Sequence, residues 1–534
     1  MAGGAEPGAL IRAGPEPEID RLLPAAQAFV GPAPEPGKKV GAPASPALER
    51  KAEQLRARAL TAASLFCGSP MQAWKAIKLM RQSLQPTPSH SIKTDEIALN
   101  WQAKWNFAPA SQPTISMLAA TSWLSNFEQS PPQQSEVNSS SIAPTFAEVE
   151  YAISRSKRNK SPGIDGLTTD ILKEGGEHLV HALCHIFAIF WREEAFPMDM
   201  FHSTIIPLPK IAVPTSPSDF RPISLTSCVG KVFEHVLVQR INRLSEECRW
   251  IAPEQCGFQP GRRIEENLLV INQLVHQRNS HTLWAGFLDI RGAYDSVHRD
   301  LLWHKLHCLG MPDKLIRVLR ATYAFPMANV RSAGVTSAPF TTGMGLRQGS
   351  VSSPILYNLF VNEIVTLLKG TTEGVQLGDS TIQILLYADD MTLLADSEED
   401  LQLLFDKVVE ISVEWGFSFN AAKSAVVPFG SEARSKMEWK LGTEFIKELN
   451  QYNYLGIVLH SSAKWTTQAA KLHGITLGSM ESLAAIGLLT PFTPIKSIRM
   501  LVSSFIRPTL FLSLIHISEP TRLRRISYAV FCLK

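Results

Sequence analysis

Two apolar runs, Ile382–Tyr387 (IQILLY) and Met391–Ala395 (MTLLA), are separated only by Ala388-Asp389-Asp390. So short a gap between strands forces a tight antiparallel hairpin. Its tip carries two adjacent carboxylates, which repel each other unless a cation compensates. An acidic turn is ordinarily solvated surface chemistry, but the apolar flanks hold this one on a rigid support. A third carboxylate, Asp289, closes another apolar strand, Leu283–Ile290 (LWAGFLDI). If the two strand units are neighbours in one sheet, Asp289 and Asp389 face one site. Oxygen ligands without His or Cys select a hard cation such as Mg²⁺, which keeps waters and binds substrate phosphates. Two such ions can clamp the attacking and leaving oxygens of an in-line phosphoryl transfer.

The rest of the chain limits the alternatives. Its 534 residues have room for about three to four domains of about 150 residues. At 45% hydrophobic they can bury sizeable cores. Lys+Arg 52 against Asp+Glu 49 leaves +3, which excludes a uniformly basic nucleic-acid coat but permits a local basic groove. No apolar run reaches the roughly 18 residues of a membrane span. The nearest, Leu179–Trp191, contains His181 and His185 and is expected to be a buried helix. The start, MAGGAEPGALIRAGPEPEID, has no basic and apolar leader pattern, so no secretory signal is expected. Seven scattered cysteines without CxxC or Cys/His metal spacing predict a reducing compartment and thiols in cores.

Residues 1–48, rich in Ala, Pro and Gly, are expected to be disordered. Residues 49–128 read as a helical N-terminal region. Its basic stretch from Leu48 to Leu84 fits a solvated surface better than a polyanion contact. Residues 129–144 (QSPPQQSEVNSSSIAP) are a linker. No internal repeat is found. Beyond the linker, β-like runs alternate with helical stretches, the pattern of an α/β or α+β body. One helix is expected to start with Ser353 as N-cap and Pro354 in first position, and to end at Gly370. Another spans Glu399–Glu414, with Gly416 after it.

With these residues assembled, the chain resembles the reverse transcriptases of non-long-terminal-repeat (LINE-type) retrotransposons. Tyr387-Ala388-Asp389-Asp390 resembles their YxDD signature. Phe287-Leu288-Asp289-Ile290 with Ala293-Tyr294-Asp295 resembles the first catalytic motif, and Gly345–Ser350 (GLRQGS) through Pro354 the motif before the palm helix. Gly416–Lys423 (GFSFNAAK) resembles the motif that supplies a lysine, and Tyr454-Leu455-Gly456 the primer grip. Lys160–Gly166 (KSPGIDG), Ile206–Lys210 (IPLPK), Phe220–Leu225 (FRPISL) and Gln255–Asn267 (QCGFQPGRRIEEN) resemble the finger motifs. The set stands in the family's order over about residues 145–460.

The resemblance implies an α+β, right-hand polymerase: fingers over 145–280, a palm with an antiparallel sheet over 281–460, and the start of a truncated helical thumb over 461–511. The implied reaction is attack of a DNA primer 3′-OH on the α-phosphate of a dNTP, templated by RNA, with two Mg²⁺ ions (Mn²⁺ as substitute). No protein partner and no membrane contact is inferred, and the family's route implies cytoplasm and nucleus. Asp289 and Asp389 would be the main metal ligands, with Asp390 shaping the charge. Tyr294 would exclude the ribose 2′-OH, against the plainer reading of a core tyrosine. Lys210 and Arg221 would bind the triphosphate, where surface cations commonly do nothing specific. Gln348 and Gly349 would meet a base or sugar edge, or merely shape the loop that caps the next helix. Lys423 would protonate the leaving pyrophosphate, or be a surface lysine. A group II intron-type reverse transcriptase and a catalytically dead nucleic-acid-binding remnant are the rival readings. The endonuclease that would nick the primer strand has no counterpart in this sequence.

Leu512–Arg522 (LSLIHISEPTR) and Ile526–Lys534 (ISYAVFCLK) resemble the in-frame translation of a transposase-based sequencing adapter, with an index-sized gap at Leu523–Arg525. Residues 512–534 are therefore expected to be adapter translation, and the native gene to continue differently after about Phe511. Such a chain would hold its duplex weakly.

Overall fold

Helices and short strands alternate through a mixed α+β body. A computed structural model describes residues 92–106, 142–277, 281–430, 437–485, 488 and 493–503. Segment 1–48, most of 49–128 and 129–144, and the adapter-like residues 512–534 lie outside the described residues. The described chain divides into two units, 92–464 and the residues from Trp465 onward. The second contributes helices Thr466–Ala485 and Ile495–Leu501. No described helix is long and apolar enough to cross a membrane.

In the first unit, α1 (Thr94–Asn106) is followed by α2 (Phe146–Arg155) and α3 (Gly176–Glu193). Thr145 and Glu148 close a reciprocal capping box on α2, satisfying two of the amides that a helix start leaves unpaired. The expected buried helix at Leu179–Trp191 is corrected to the half-buried α3. Only the stripe Val180, Leu183, Phe187 and Trp191 faces inward, and His181 and His185 are exposed, as the helical period dictates for a surface helix. Strands β1 (Ser203–Pro209) and β2 (Phe220–Leu225) lead to α4 (Cys228–Glu247) and α5 (Ile264–Gln277). Arg240 of α4, 2% exposed, grips Glu148 at 2.7 Å and ties α4 to α2.

Then come β3 (Leu283–Asp289), α6 (Arg299–Cys308), α7 (Asp313–Ala321), β4 (Met327–Ser332), β5 (Val335–Thr336) and β6 (Phe340–Thr341). Strand β4 runs parallel to β1, so residues of the expected palm complete a sheet begun in the expected fingers. Helix α1 covers that sheet: Ile97, Trp101 and Trp105 pack with Ile205, Phe220, Val330 and Phe340 in a core of their own.

Helices α8 (Ser353–Val361) and α9 (Glu363–Leu368) replace the single helix expected up to Gly370. The N-cap is Ser352, not Ser353. Its hydroxyl and that of Ser350 donate to the buried Glu234 carboxylate, which also accepts from Val351 N at 3.0 Å. An anion from α4 thus serves the helix start in place of a local side-chain cap. The break falls at Asn362, whose side chain accepts from Ala252 N and donates to Trp250 O.

After the pair β7 (Val375–Leu377) and β8 (Ser380–Ile382) come β9 (Ile384–Tyr387), β10 (Asp390–Ala395), α10 (Glu398–Trp415) and β11 (Ala425–Phe429). Ile382 therefore belongs to a different strand pair from the hairpin. Gly416 ends α10 at φ 77°, as its position predicts. The unit closes with β12 (Lys440–Leu441), β13 (Glu444–Phe445), β14 (Lys447–Glu448), β15 (Gln451–Tyr454) and β16 (Ile457–His460). The central sheet has the order β14-β11-β3-β10-β9, with β3 buried along its length up to Asp289. Cys228, Cys248 and Cys256 are buried as expected, but Cys184 is half-buried and Cys308 exposed.

Candidate active site

Register brings the carboxylates together. Asp390 lies directly opposite Asp289 across β10 and β3, so both project from the same face. Asp390 also pairs with Tyr387, which shortens the hairpin loop to Ala388 and Asp389. Ala388 takes φ 58°, the left-handed region that such loops demand. The expected three-residue gap is thus a two-residue loop, because Asp390 already belongs to the strand.

The turn is held from behind. Buried Gln255 accepts from Ala388 N at 3.0 Å and from Gly257 N at 2.9 Å. Residues 254–256 run along the outer edge of β9, exchanging backbone bonds with Leu386. Gly257 allows this approach, since a Cβ there would stand 2.2 Å from Ala388 N. The sequence placed Gln255 in a motif but assigned it no role.

Like charges directly opposed on a sheet are destabilising. Asp389 and Asp390 remain solvent-accessible. The surrounding protein nevertheless withdraws enough water to be the largest cause of their raised pKa values. Asp390 is pushed up to about 6 by burial, then Asp389, then Asp289. Asp389 is raised by burial and Asp289, against the lowering effect of its own backbone N–H and of Arg221. Three oxygen donors, two on paired strands and one in the turn beside them, in mutual repulsion, fit a hard divalent cation. Among the described residues no three carboxylate, His or Cys groups close into a ready ligand cage. Mg²⁺ takes few protein ligands and fills its shell with water and phosphate.

A stability test follows. Because the shift is upward, the folded chain binds the Asp390 proton more tightly than the unfolded chain. That stabilisation is complete below the unfolded value near 3.8 and is lost as pH rises through about 6. In metal-free buffer Asp390→Asn should therefore melt above the parent chain at pH 8, and the gap should close at pH 4. Solvent screening of these accessible groups limits the gap to about 2 °C. Thermal denaturation at the two pH values checks it, and an equal gap at both would contradict this electrostatic account.

Cations face the acids. Lys423 Nζ lies 3.8 Å from Asp289 Oδ2. Its loop is pinned to the end of β3: Asn420 N donates to Asp289 O at 2.8 Å, and Asp289 N donates to Ser424 Oγ at 3.2 Å. Lys210 and Arg221 are exposed at one end of the β1–β2 pair, and Lys210 Nζ donates to Ser218 O at 2.8 Å. The Lys210 pKa is lowered by burial, then by Lys104 and Lys423, with Arg221 adding to it. Two of these cations act on the carboxylates directly, Lys423 on Asp289 and Arg221 on Asp389.

Comparison with known proteins accords with this geometry. The family model for reverse transcriptase (RNA-dependent DNA polymerase) matches residues 208–459. Those residues belong to the reverse transcriptase family. Over 323 residues, 58% of this chain and 30% of the relative, the sequence is 26% identical to the Pol polyprotein of the type-2 retrotransposable element R2DM of Drosophila melanogaster. It is 27% identical over 414 residues to the RNA-directed DNA polymerase from mobile element jockey of Drosophila funebris, covering 73% of this chain and 43% of that protein. The type-1 element R1DM of Drosophila melanogaster has a 115 kDa protein 26% identical over 349 residues, 64% of this chain and 32% of that protein. The chain thus spans less than half the length of these curated relatives.

Within the reverse transcriptase domain, Tyr294 is half-buried and stacks on Tyr357 of α8, centroids 5.2 Å apart and planes at 9°. Burial first and Asp389 second raise its hydroxyl pKa, so it stays neutral. Gln348 O accepts from Ser224 N at 2.7 Å. Gly349, at φ 114°, lets this loop lie on β2, where a Cβ would meet Ser224 O at 2.8 Å. Tyr454 is 2% exposed and its hydroxyl accepts from Asn267 Nδ2 at 3.2 Å, leaving Leu455 and Gly456 at the surface of the turn. Both turn residues have positive φ, 48° and 88°, as a two-residue hairpin loop requires.

Sequence reasoning missed Tyr452. Its ring stacks on Phe287 at 4.5 Å, and its hydroxyl donates to Lys423 O at 3.1 Å. It joins the lysine loop to the strand that carries Asp289. Only alternation along β15 signals it, and that signal does not distinguish it from any half-buried tyrosine.

Proposed function

We propose that this chain is the RNA-templated DNA polymerase of a LINE-type retrotransposon, acting on an RNA template, a DNA primer and dNTPs. The observation that carries the reading is the direct opposition of Asp289 and Asp390, with Asp389 in the turn beside them and Lys423 3.8 Å from Asp289. Asp289, Asp389 and Asp390 would hold Mg²⁺, or Mn²⁺ in its place. When bound, the metal supplies charge stabilisation at the phosphate oxygens of an in-line displacement.

The chain's own residues have separable tasks. Lys210 and Arg221 bind the triphosphate, one as a point charge and one as a fork. Tyr294 excludes nucleotides carrying a 2′-OH. Gln348 reads a base or sugar edge, while Gly349 keeps its loop against β2. Lys423, paired with Asp289 here, donates a proton to pyrophosphate as the primer 3′-hydroxyl gives up its proton to solvent, its oxygen bonds to the α-phosphorus and the α–β bridging bond breaks. The turn at Leu455 and Gly456, anchored by buried Tyr454, supports the primer end. Residues 145–280 act as fingers, 281–460 as palm and 461–511 as the start of a thumb, in a protein that works in cytoplasm and nucleus.

Relatives named for the R2, R1 and jockey elements favour the LINE-type reading over a group II intron-type one. The intact acids weigh against a dead remnant. Primer extension by the purified chain on an RNA template, with dNTPs and Mg²⁺, tests the proposal. EDTA should abolish extension and restored Mg²⁺ should recover it. RNA binding without any extension, in Mg²⁺ or Mn²⁺, would establish the remnant reading instead.

A further inference from the structure

Helix α1 lies ahead of the matched residues 208–459, yet its last turn reaches the segment that carries Tyr294. Asp295 is 7% exposed, and a buried carboxylate is costly without partners. Two partners come from α1: Lys104 Nζ donates to Oδ2 at 2.5 Å and Trp105 Nε1 donates to Oδ1 at 3.2 Å. The backbone of the same helix end takes a second hold, with Trp105 O accepting from Gly343 N at 3.1 Å. The two segments it grips are joined to each other. Leu346 N donates to Tyr294 O at 2.7 Å and Gly345 N to Val297 O at 2.9 Å. Gly345 passes so close that a Cβ would stand 3.0 Å from Asp295 Cα. Helix α1 is itself immobilised by Trp101 and Trp105, the latter stacked on Phe340 at 6.1 Å.

We propose that Lys104 and Trp105 are positioning residues for nucleotide-sugar discrimination: by latching Asp295 they fix the turn from which Tyr294 projects. This rests on the reading of Tyr294 as the residue that excludes the 2′-OH. A steric gate works only if its ring stays where the hydroxyl would be. Displacements on the order of 1 Å change rates by up to about 100-fold. Neutralising the latch while keeping its shape therefore lowers selectivity more than it lowers dNTP use.

The test uses the full chain in primer extension and measures kcat/KM for rNTP and dNTP in parallel. Lys104→Met and Asp295→Asn should each raise the rNTP:dNTP ratio about fivefold, with the dNTP KM changed by less than about twofold. Lys104→Arg, which keeps charge and donor, should restore the parental ratio. The double variant Lys104→Met/Asp295→Asn leaves no buried charge unpaired. It should fold and show the same loss of selectivity. A parental ratio in these variants, with only a lowered melting temperature, would make the latch a structural strut and overturn the proposal. A raised dNTP KM at constant ratio would assign Lys104 to triphosphate binding and overturn it equally. Tyr294→Val, run alongside, separates the two failures. If it alone shifts the ratio, the gate stands and the latch falls. If it does not, the gate reading falls and takes the latch with it.

Discussion

Replacing Asp389 by Asn is expected to lower primer extension by about 1,000-fold or more, equivalent to about 4 kcal/mol of transition-state stabilisation. Asparagine keeps the size of the side chain and accommodates the turn. It keeps one side-chain oxygen but loses the negative charge that would hold a divalent cation, leaving two of the three carboxylates on the site. The hairpin should survive, because what fixes it is independent of that carboxylate. Gln255 bonds the Ala388 amide, and β10 remains paired on both edges. Repulsion from Asp289 is also relieved, so the variant should be no less stable than its parent. RNA affinity should change by less than about twofold, since phosphate is ordinarily met by Lys and Arg side chains, which the substitution leaves in place. Single-turnover extension and filter binding on the same preparation give both numbers. Extension within tenfold of the parent would remove Asp389 from the chemistry. A matched loss of RNA binding would make the effect one of folding.

The local features of this site were legible in the sequence because local physics fixes them. Alternation between apolar runs and a turn too short for anything but a hairpin put Asp389 and Asp390 at a strand junction. The apolar strand ending at Asp289 needed only a neighbour. Register was not legible: that Asp390 rather than Asp389 lies opposite Asp289 depends on which residue enters the strand, and Gln255, over a hundred residues away, helps decide it. The start of α8 was misplaced by one residue because its partner, Glu234, sits on another helix. The parallel pairing of β4 with β1 and the grip of α1 on Asp295 join segments far apart in the chain, and neither leaves a periodic trace. The spacing of Ile97, Trp101 and Trp105 fits one face of a helix but does not name the sheet that face covers. Functional side chains thus announce themselves through local pattern, while the residues that aim them are distributed by tertiary contact.

Tyr294→Val should raise the rNTP:dNTP ratio of kcat/KM by about 10- to 100-fold, the range that one steric contact in a pocket commands. The alternative is that Tyr294 is an ordinary core tyrosine, and the geometry separates the two. A core role would be served by the stack on Tyr357, and losing that stack costs stability of about 2–4 kcal/mol whatever the substrate. The gate role needs the ring near the carboxylates, where Asp389 is the second cause of its raised pKa. Valine removes the ring and leaves the backbone bond from Leu346 N to Tyr294 O intact, so the loop toward Gln348 keeps its place. Tyr294→Phe supplies the control. Phe retains the stack and the bulk and loses only a hydroxyl for which the gate has no use, so its ratio should equal the parent's. Assays at a temperature where all three chains are folded remove the stability difference. If valine lowers the melting temperature and leaves the ratio at the parental value, the tyrosine is a packing residue and sugar selection lies elsewhere. If phenylalanine shifts the ratio as much as valine, selection acts through the hydroxyl and not through bulk.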